Sequence, residues 1–259
     1  MSAALAAPAA HELAAPPDWR SIEFISDLHL QASQPATVAA WRAYMAGVQA
    51  HALFILGDLF EAWIGDDAAA EPGFEADCAQ VLRATAQRIP VFFLHGNRDF
   101  LLGAAMAGRA GLQLLPDPTA LDFGATRWLL SHGDALCLDD TDYQAFRRQV
   151  RNPAWQAAVL ARPLAERRLM AKALRSESED LKRGDRPYAD VDHPAALQWL
   201  QAAGAANMIH GHTHKPGEHA LDATRRRIVL SDWDAEARPP RLEALRVSRE
   251  GVVRRIALA

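Results

Sequence analysis

The chain has 259 residues, half of them apolar and 23% charged, which suffices for a packed core and excludes wholesale disorder. A formal net charge of −4 gives no global basis for binding nucleic acid. Only two cysteines occur, Cys78 and Cys137, which argues against a disulfide scaffold and fits a reducing cytoplasm.

The first segment, MSAALAAPAAHELAAPPDWR, lacks the basic start of a secretion signal and is broken by Pro8, Pro16 and Pro17. Residues 1–20 are therefore expected to form a flexible Ala/Pro-rich tail. No later run approaches the ~20 apolar residues of a membrane span. Short apolar runs at 22–25, 52–56 and 91–94 end in turn residues, as buried strands do. Val38, Trp41, Met45 and Val48, then Phe74, Cys78, Val81 and Leu82, recur between them at helical spacing. This alternation predicts a layered α/β fold with a largely parallel sheet. Further strands are expected at 127–130, 207–209, 226–230, 242–247 and 252–256. The last of these look like antiparallel hairpins of a second sheet.

The middle of the chain differs. Residues 147–188 read as helix, jointed at Pro153, Pro163 and Pro187. Eleven Lys/Arg face five acids there, a surplus of six that leaves the rest of the chain at −10. The expected organisation is a core of 21–138 and 189–259, interrupted by a basic helical insertion at 139–188.

Asp27 and His29 fall two apart where the first strand should end, and each later strand end repeats the pattern. Gly57-Asp58, Gly96-Asn97, His132-Gly133 and the run His210-Gly211-His212-Thr213-His214 all place a metal-capable side chain in a glycine-bearing turn. The carboxyl ends of strands are where α/β sheets bind ligands, so these residues should meet on one rim. Carboxylates, an amide and imidazoles without thiolate suit manganese, iron or zinc in a catalytic site. Seven ligands exceed one ion with open positions and suit two ions, with Asp58 as the natural bridge. Any single histidine here would more often be a hydrogen-bonded packing residue; five elements in order are not explained that way.

The strings SDLH, GDLFE, GNRD, SHGD and GHTH, in this order, resemble the calcineurin-like metallophosphoesterases. The longer strings GDLFEAWIGDD, HGNRDFLLG and HGDALCLDDTDYQAFR resemble, more narrowly, the UDP-2,3-diacylglucosamine pyrophosphatases of lipid A synthesis. The resemblance covers about residues 21–259. It implies a sandwich of two mixed β-sheets flanked by helices, with the insertion as a substrate-binding cap or lid. It implies two Mn2+ ions, one held by Asp27, His29 and His214, the other by Asn97, His132 and His212, with Asp58 bridging. By motif position Asn97, Arg98, Asp140, Ser178, Lys182 and His212 would contact substrate, with Arg175 close by. Asp58, Asn97, Arg98 and His132 would carry catalysis. His210 reads as structural, and His95 and His219 as packing or supporting residues. Trp63, Asp66 and Asp67 read as loop-shaping.

Arg98 stands where many phosphatases of the superfamily place a proton-donating histidine. Arginine stays charged and cannot serve as an acid, but its planar fork grips phosphate. A phosphate leaving from a pyrophosphate, with a second pKa of about 6, needs no proton. The implied reaction is water attack on the α-phosphorus of UDP-2,3-diacylglucosamine, giving UMP and 2,3-diacylglucosamine 1-phosphate. Ala154, Trp155, Val159, Leu160, Leu164, Leu169, Met170 and Leu174 could line a groove for acyl chains. The basic surplus would meet phosphates or the anionic cytoplasmic face of the inner membrane. The alternatives are a metallophosphoesterase for soluble nucleotides or phosphoproteins, and an inactive scaffold, against which all seven ligands stand. A nucleic-acid phosphodiesterase lacks a long basic track. The oligomeric state is not legible.

Overall fold

The computed structural model describes residues 7–182 and 190–258, with backbone alone for 174–182. Chain order runs β1 (His11–Ala14), β2 (Ser21–Ile25), α1 (Pro35–Gly47), β3 (Ala52–Leu56), α2 (Phe74–Ala86), β4 (Val91–Leu94), α3 (Ala104–Ala110) and β5 (Leu112–Leu115). It continues with β6 (Thr119–Phe123), β7 (Thr126–Leu130), α4 (Thr141–Val150), α5 (Pro153–Leu160), α6 (Leu164–Lys182) and α7 (His193–Ala203). The chain closes with β8 (Asn207–His210), β9 (Gly217–Ala220), β10 (Arg226–Val229), β11 (Glu243–Ser248) and β12 (Val253–Ala257). Two mixed sheets result, ordered β12-β11-β2-β3-β4-β5 and β1-β6-β7-β8-β10-β9.

Period-two alternation makes the layers. Ile22, Phe24, Phe54, Leu56, Phe92 and Leu94 point between the sheets, where Leu121, Trp128, Ile209 and Ile228 meet them. Their neighbours Ile25, Leu53, Ile55, Val91 and Phe93 face the other way, onto Trp41 and Met45 of α1 and Leu82 of α2. Strands covered on both faces have no polar side to show, hence their continuous apolar runs. Phe24, Phe54 and Phe92 stack across three strands at centroid distances of 5.1 and 4.7 Å. On the outer face of the second sheet, Ala196 and Leu200 of α7 cover Leu129 and Met208. The two-sheet sandwich flanked by helices is as expected.

Three details correct the sequence reading. His11–Ala14, expected in a flexible tail, pairs in parallel with β6, and Leu13 packs on the core between the sheets. The β11–β12 hairpin does not found the second sheet; β11 pairs antiparallel with β2 and extends the first. β8 and β10, read as hairpin strands, pair in parallel, with β9 returning antiparallel on β10.

The stretch expected as an insertion holds α4, α5 and α6, and Arg167 of α6 fastens it to the loop after β3. This buried guanidinium donates to the Ile64 carbonyl and, at 2.8 Å, to Asp67 Oδ1. Of the apolar positions expected to line an acyl groove, Val159 is buried in the helix-side core, with Trp155 and Met170 packed on it. Leu160 and Leu169 remain 41% and 69% exposed.

Candidate metal centre

Among the described residues, five non-glycine residues have positive φ: Asp27, His29, Asp58, His212 and His214. All five belong to the expected ligand set. A left-handed backbone at a residue bearing a side chain costs of order 1–3 kcal/mol and persists only where the surroundings enforce it. The surroundings are the adjoining strand ends: Asp27 N–H donates to the Gly57 carbonyl and His29 N–H to the Asp58 carbonyl, both at 3.1 Å. Gly57, at φ +88°, makes its sharp turn against Gly96, and a Cβ on Gly96 would meet Asp58 Oδ1 at 2.0 Å.

The side chains converge in two groups. His29 Nε2 lies 3.3 Å from His214 Nε2, which lies 3.4 Å from Asp27 Oδ1. Asn97 Oδ1 lies 3.0 Å from His132 Nε2 and 2.9 Å from His212 Nδ1. Asp58 Oδ1 stands 3.7 Å from His132 Nε2. The donor atoms of Asp27, His29 and His214 fall within 4.8 Å of one another, as do those of Asp27, Asp58 and His132. The carboxylate common to those two sets is Asp27, whereas Asp58 enters only the one with His132.

Electrostatics fit a cation site. Burial would raise the Asp27 carboxyl, but the hydrogen bond and charge of His214, with His132 and His29, hold it well below the usual range. Asp58 is pushed up to about 7 by burial, against the pull of His132 and with the repulsion of Asp99 and Asp27. Burial opposes a charge on His132, yet Asp58, Asp27 and Asp134 bring it up to about 9. Burial, reinforced by His132, holds His212 down at about 3, so it stays a neutral imidazole with a lone pair to offer. Oxygen and imidazole donors without sulfur, gathered this closely, suit divalent ions of the manganese, iron or zinc type.

Neighbouring residues hold the ligand loops in place. Asp99, fully buried, accepts Leu59 N–H at 2.7 Å and Gly96 N–H at 2.8 Å, tying together the turns that carry Asp58 and Asn97. Asp134 accepts from Tyr143 Oη at 2.6 Å and Arg147 Nε at 2.8 Å, while the Tyr143 ring lies 5.8 Å from that of His212. Arg151 donates to the Gly96 carbonyl at 2.9 Å. The first helix of the insertion is thus docked on the loops of His132 and Asn97. Sequence reading passes over Asp134, Tyr143, Arg147 and Arg151; the i, i+4 spacing of the last three was the available signal, but the groups they meet, Asp134 and the Gly96 carbonyl, lie in other loops.

Arg98 borders the ligands, its guanidinium 3.6 Å from Glu61 Oε1. Asp140 caps α4, accepting Tyr143 N–H at 3.0 Å. Ser178 and Lys182 lie on α6, but their side chains, like that of Arg175, fall outside the described residues. His210 is buried beneath the rim, with Nδ1 2.8 Å from its neighbour's carbonyl at Gly211 and Nε2 3.4 Å from Arg227. His95 Nε2 lies 2.6 Å from the Leu102 carbonyl, and His219 sits on β9. Trp63 donates to Asp66, whose carboxylate accepts Gly103 and Met106 N–H groups at the start of α3.

Residues 21–216 match the model of the calcineurin-like phosphoesterase family, and the chain belongs to that family. It is also similar to proteins named UDP-2,3-diacylglucosamine hydrolase. The one from Chromobacterium violaceum is 47% identical over 82% of this chain and 90% of its own length. The one from Xanthomonas campestris pv. campestris is 46% identical over 85% and 94%. The one from Aromatoleum aromaticum is 47% identical over 83% and 89%.

Proposed function

We propose that the protein hydrolyses the pyrophosphate bond of UDP-2,3-diacylglucosamine, releasing UMP and 2,3-diacylglucosamine 1-phosphate, as a step of lipid A biosynthesis. The observation that carries this reading is the convergence of all seven metal-capable residues beside Arg98, in a chain 46–47% identical to relatives of that name. Asp27, His29 and His214 would hold one divalent ion and Asn97, His132 and His212 the other, with Asp58 between them and manganese as the metal. Such ions supply an acidified water and positive charge for the phosphoryl oxygens. The chain's own residues do the rest. Arg98 grips a non-bridging oxygen through its fork and never needs to release a proton. Asn97, neutral, adds no repulsion toward an anionic substrate, and Asp140, Ser178, Lys182 and His212 are the further contacts.

Among the described residues no helix is long and apolar enough to cross a membrane. The proposed place of work is the cytoplasmic face of the inner membrane, held peripherally. Exposed Leu160 and Leu169, with exposed Arg162, Arg168 and Lys172 close by in sequence and exposed Arg148 on α4, support that placement.

The test is phosphorus-detected product analysis in detergent with added manganese, comparing UDP-2,3-diacylglucosamine with UDP-N-acetylglucosamine. The expected result is UMP from the acylated substrate alone, abolished in Asp58→Ala. Cleavage of soluble nucleotides in preference to the acylated substrate would overturn the reading.

A further inference from the structure

Glu61 lies between the two parts of the site that the proposed function keeps separate, a metal ligand and the phosphate clamp. Its Oε2 is 3.5 Å from His29 Nδ1 and its Oε1 is 3.6 Å from Arg98 Nη1, with all three side chains less than one-fifth exposed. The opposite nitrogen of His29, Nε2, faces His214 and Asp27 across the first ligand group. The contact is an ion-pair distance rather than a formed hydrogen bond, and Nδ1 is buried; a carboxylate facing Nδ1 favours the proton there and leaves Nε2 to ligate, an arrangement that metal-binding histidines use widely. The backbone puts Glu61 where it can do this. Glu61 N–H donates to the Leu30 carbonyl at 3.2 Å, and Trp63 N–H donates to the Arg98 carbonyl at 2.9 Å, so loop 58–63 is stitched to both neighbours.

We propose that Glu61 is a positioning residue that couples the two functions: one carboxylate oxygen orients His29 for its ion, and the other holds the Arg98 fork toward the phosphate. This rests on the ligand set given under the proposed function and deepens it. One negative charge shared between a ligand and a clamp ties correct metal loading to a correctly aimed guanidinium. A residue that merely filled the loop would lower stability and leave both affinities alone.

The test titrates metal-free protein with Mn2+, and Mn2+-saturated protein with inorganic phosphate, by calorimetry. It compares wild type, Glu61→Gln, Arg98→Ala and the double variant, with near-ultraviolet circular dichroism as the check on folding. Glu61→Gln, of the same shape, should weaken Mn2+ binding at one ion by roughly tenfold or more. It should also weaken phosphate binding several-fold in the Arg98 background and not at all in the Arg98→Ala background. Mn2+ affinity within twofold of wild type, or an equal phosphate effect with and without Arg98, overturns the proposal. Should Glu61→Gln lose its fold, Glu61→Asp replaces it, keeping the charge but not the reach to both partners, with the same expected direction. Neither titration uses the lipid substrate. A wild type that binds both ions and phosphate but leaves UDP-2,3-diacylglucosamine intact would overturn the substrate assignment and leave the Glu61 result standing.

Discussion

Arg98 borders the ligands with a charge but no place in the ligand set, and the proposed function makes it the clamp on phosphate. A guanidinium offers two parallel N–H donors to phosphate oxygens; an ammonium offers a point charge. Arg98→Ala is expected to lower kcat/KM by about 10²–10³-fold, the usual loss when one transition-state donor is removed. Arg98→Lys should recover only part of that. Neither should change the number of Mn2+ ions bound, as counted by equilibrium dialysis. A substitution that emptied a metal position would assign Arg98 a structural role instead.

At the scale of the element, α4 belongs mechanically to the metal centre, although its sequence lies in the insertion. Asp134 is fully buried, and the charge of Arg147, with His132 and Arg151, holds its carboxyl well below the usual carboxylate range although burial opposes this. Arg147→Met leaves that carboxylate with one charged partner fewer, and a cost of about 3 kcal/mol is expected in urea denaturation. Arg147→Met combined with Asp134→Asn should cost less than the sum of the two, because the second change removes the stranded charge. The pH dependence has a definite sign. A carboxyl whose folded value lies below its unfolded value of about 3.9 contributes fully above the unfolded value and loses its contribution as pH falls through the folded one. The Arg147→Met deficit should therefore be constant from pH 7 to about 5 and shrink only in stronger acid.

The whole molecule sets an acidic body against a basic insertion, with eleven of 28 Lys/Arg in residues 147–188. Arg148, Arg162, Arg168 and Lys172 are exposed, as are Leu160 and Leu169, while Arg167 is turned inward to Asp67 and Ile64. An anionic bilayer would gain on the order of 1 kcal/mol per exposed basic group, screened within about 10 Å at 0.1 M salt. Flotation with vesicles containing anionic lipid should capture the protein at low salt and release it as salt rises. Leu169→Glu should weaken capture without altering Mn2+ binding, and equal capture by neutral vesicles would remove the electrostatic part of this account.

The candidate ligand positions were legible because each is announced locally: a short apolar run ends and an Asp, Asn or His follows, with a glycine in the turn in every case but that of Asp27 and His29. That pattern needs no knowledge of what lies opposite, and the order of five such turns was enough to gather Asp27, His29, Asp58, Asn97, His132, His212 and His214 on one rim. The two-layer fold was legible for the same reason, since strands such as Ala52–Leu56 are apolar on both faces. What local pattern does not contain is the partner. β1 looks like a Pro-bounded tail until β6 offers its edge, and the β11–β12 hairpin carries no mark of the sheet it joins. Glu61 and Arg98 are 37 positions apart, and Asp134 is met by residues 9 to 17 positions downstream on a docked helix and just beyond it. The sequence by itself determined which residues could hold metal and where the chain would turn to present them. Only the tertiary structure decided which charges face one another, because a charge pair is a property of distance and burial, and both arise when separate segments pack.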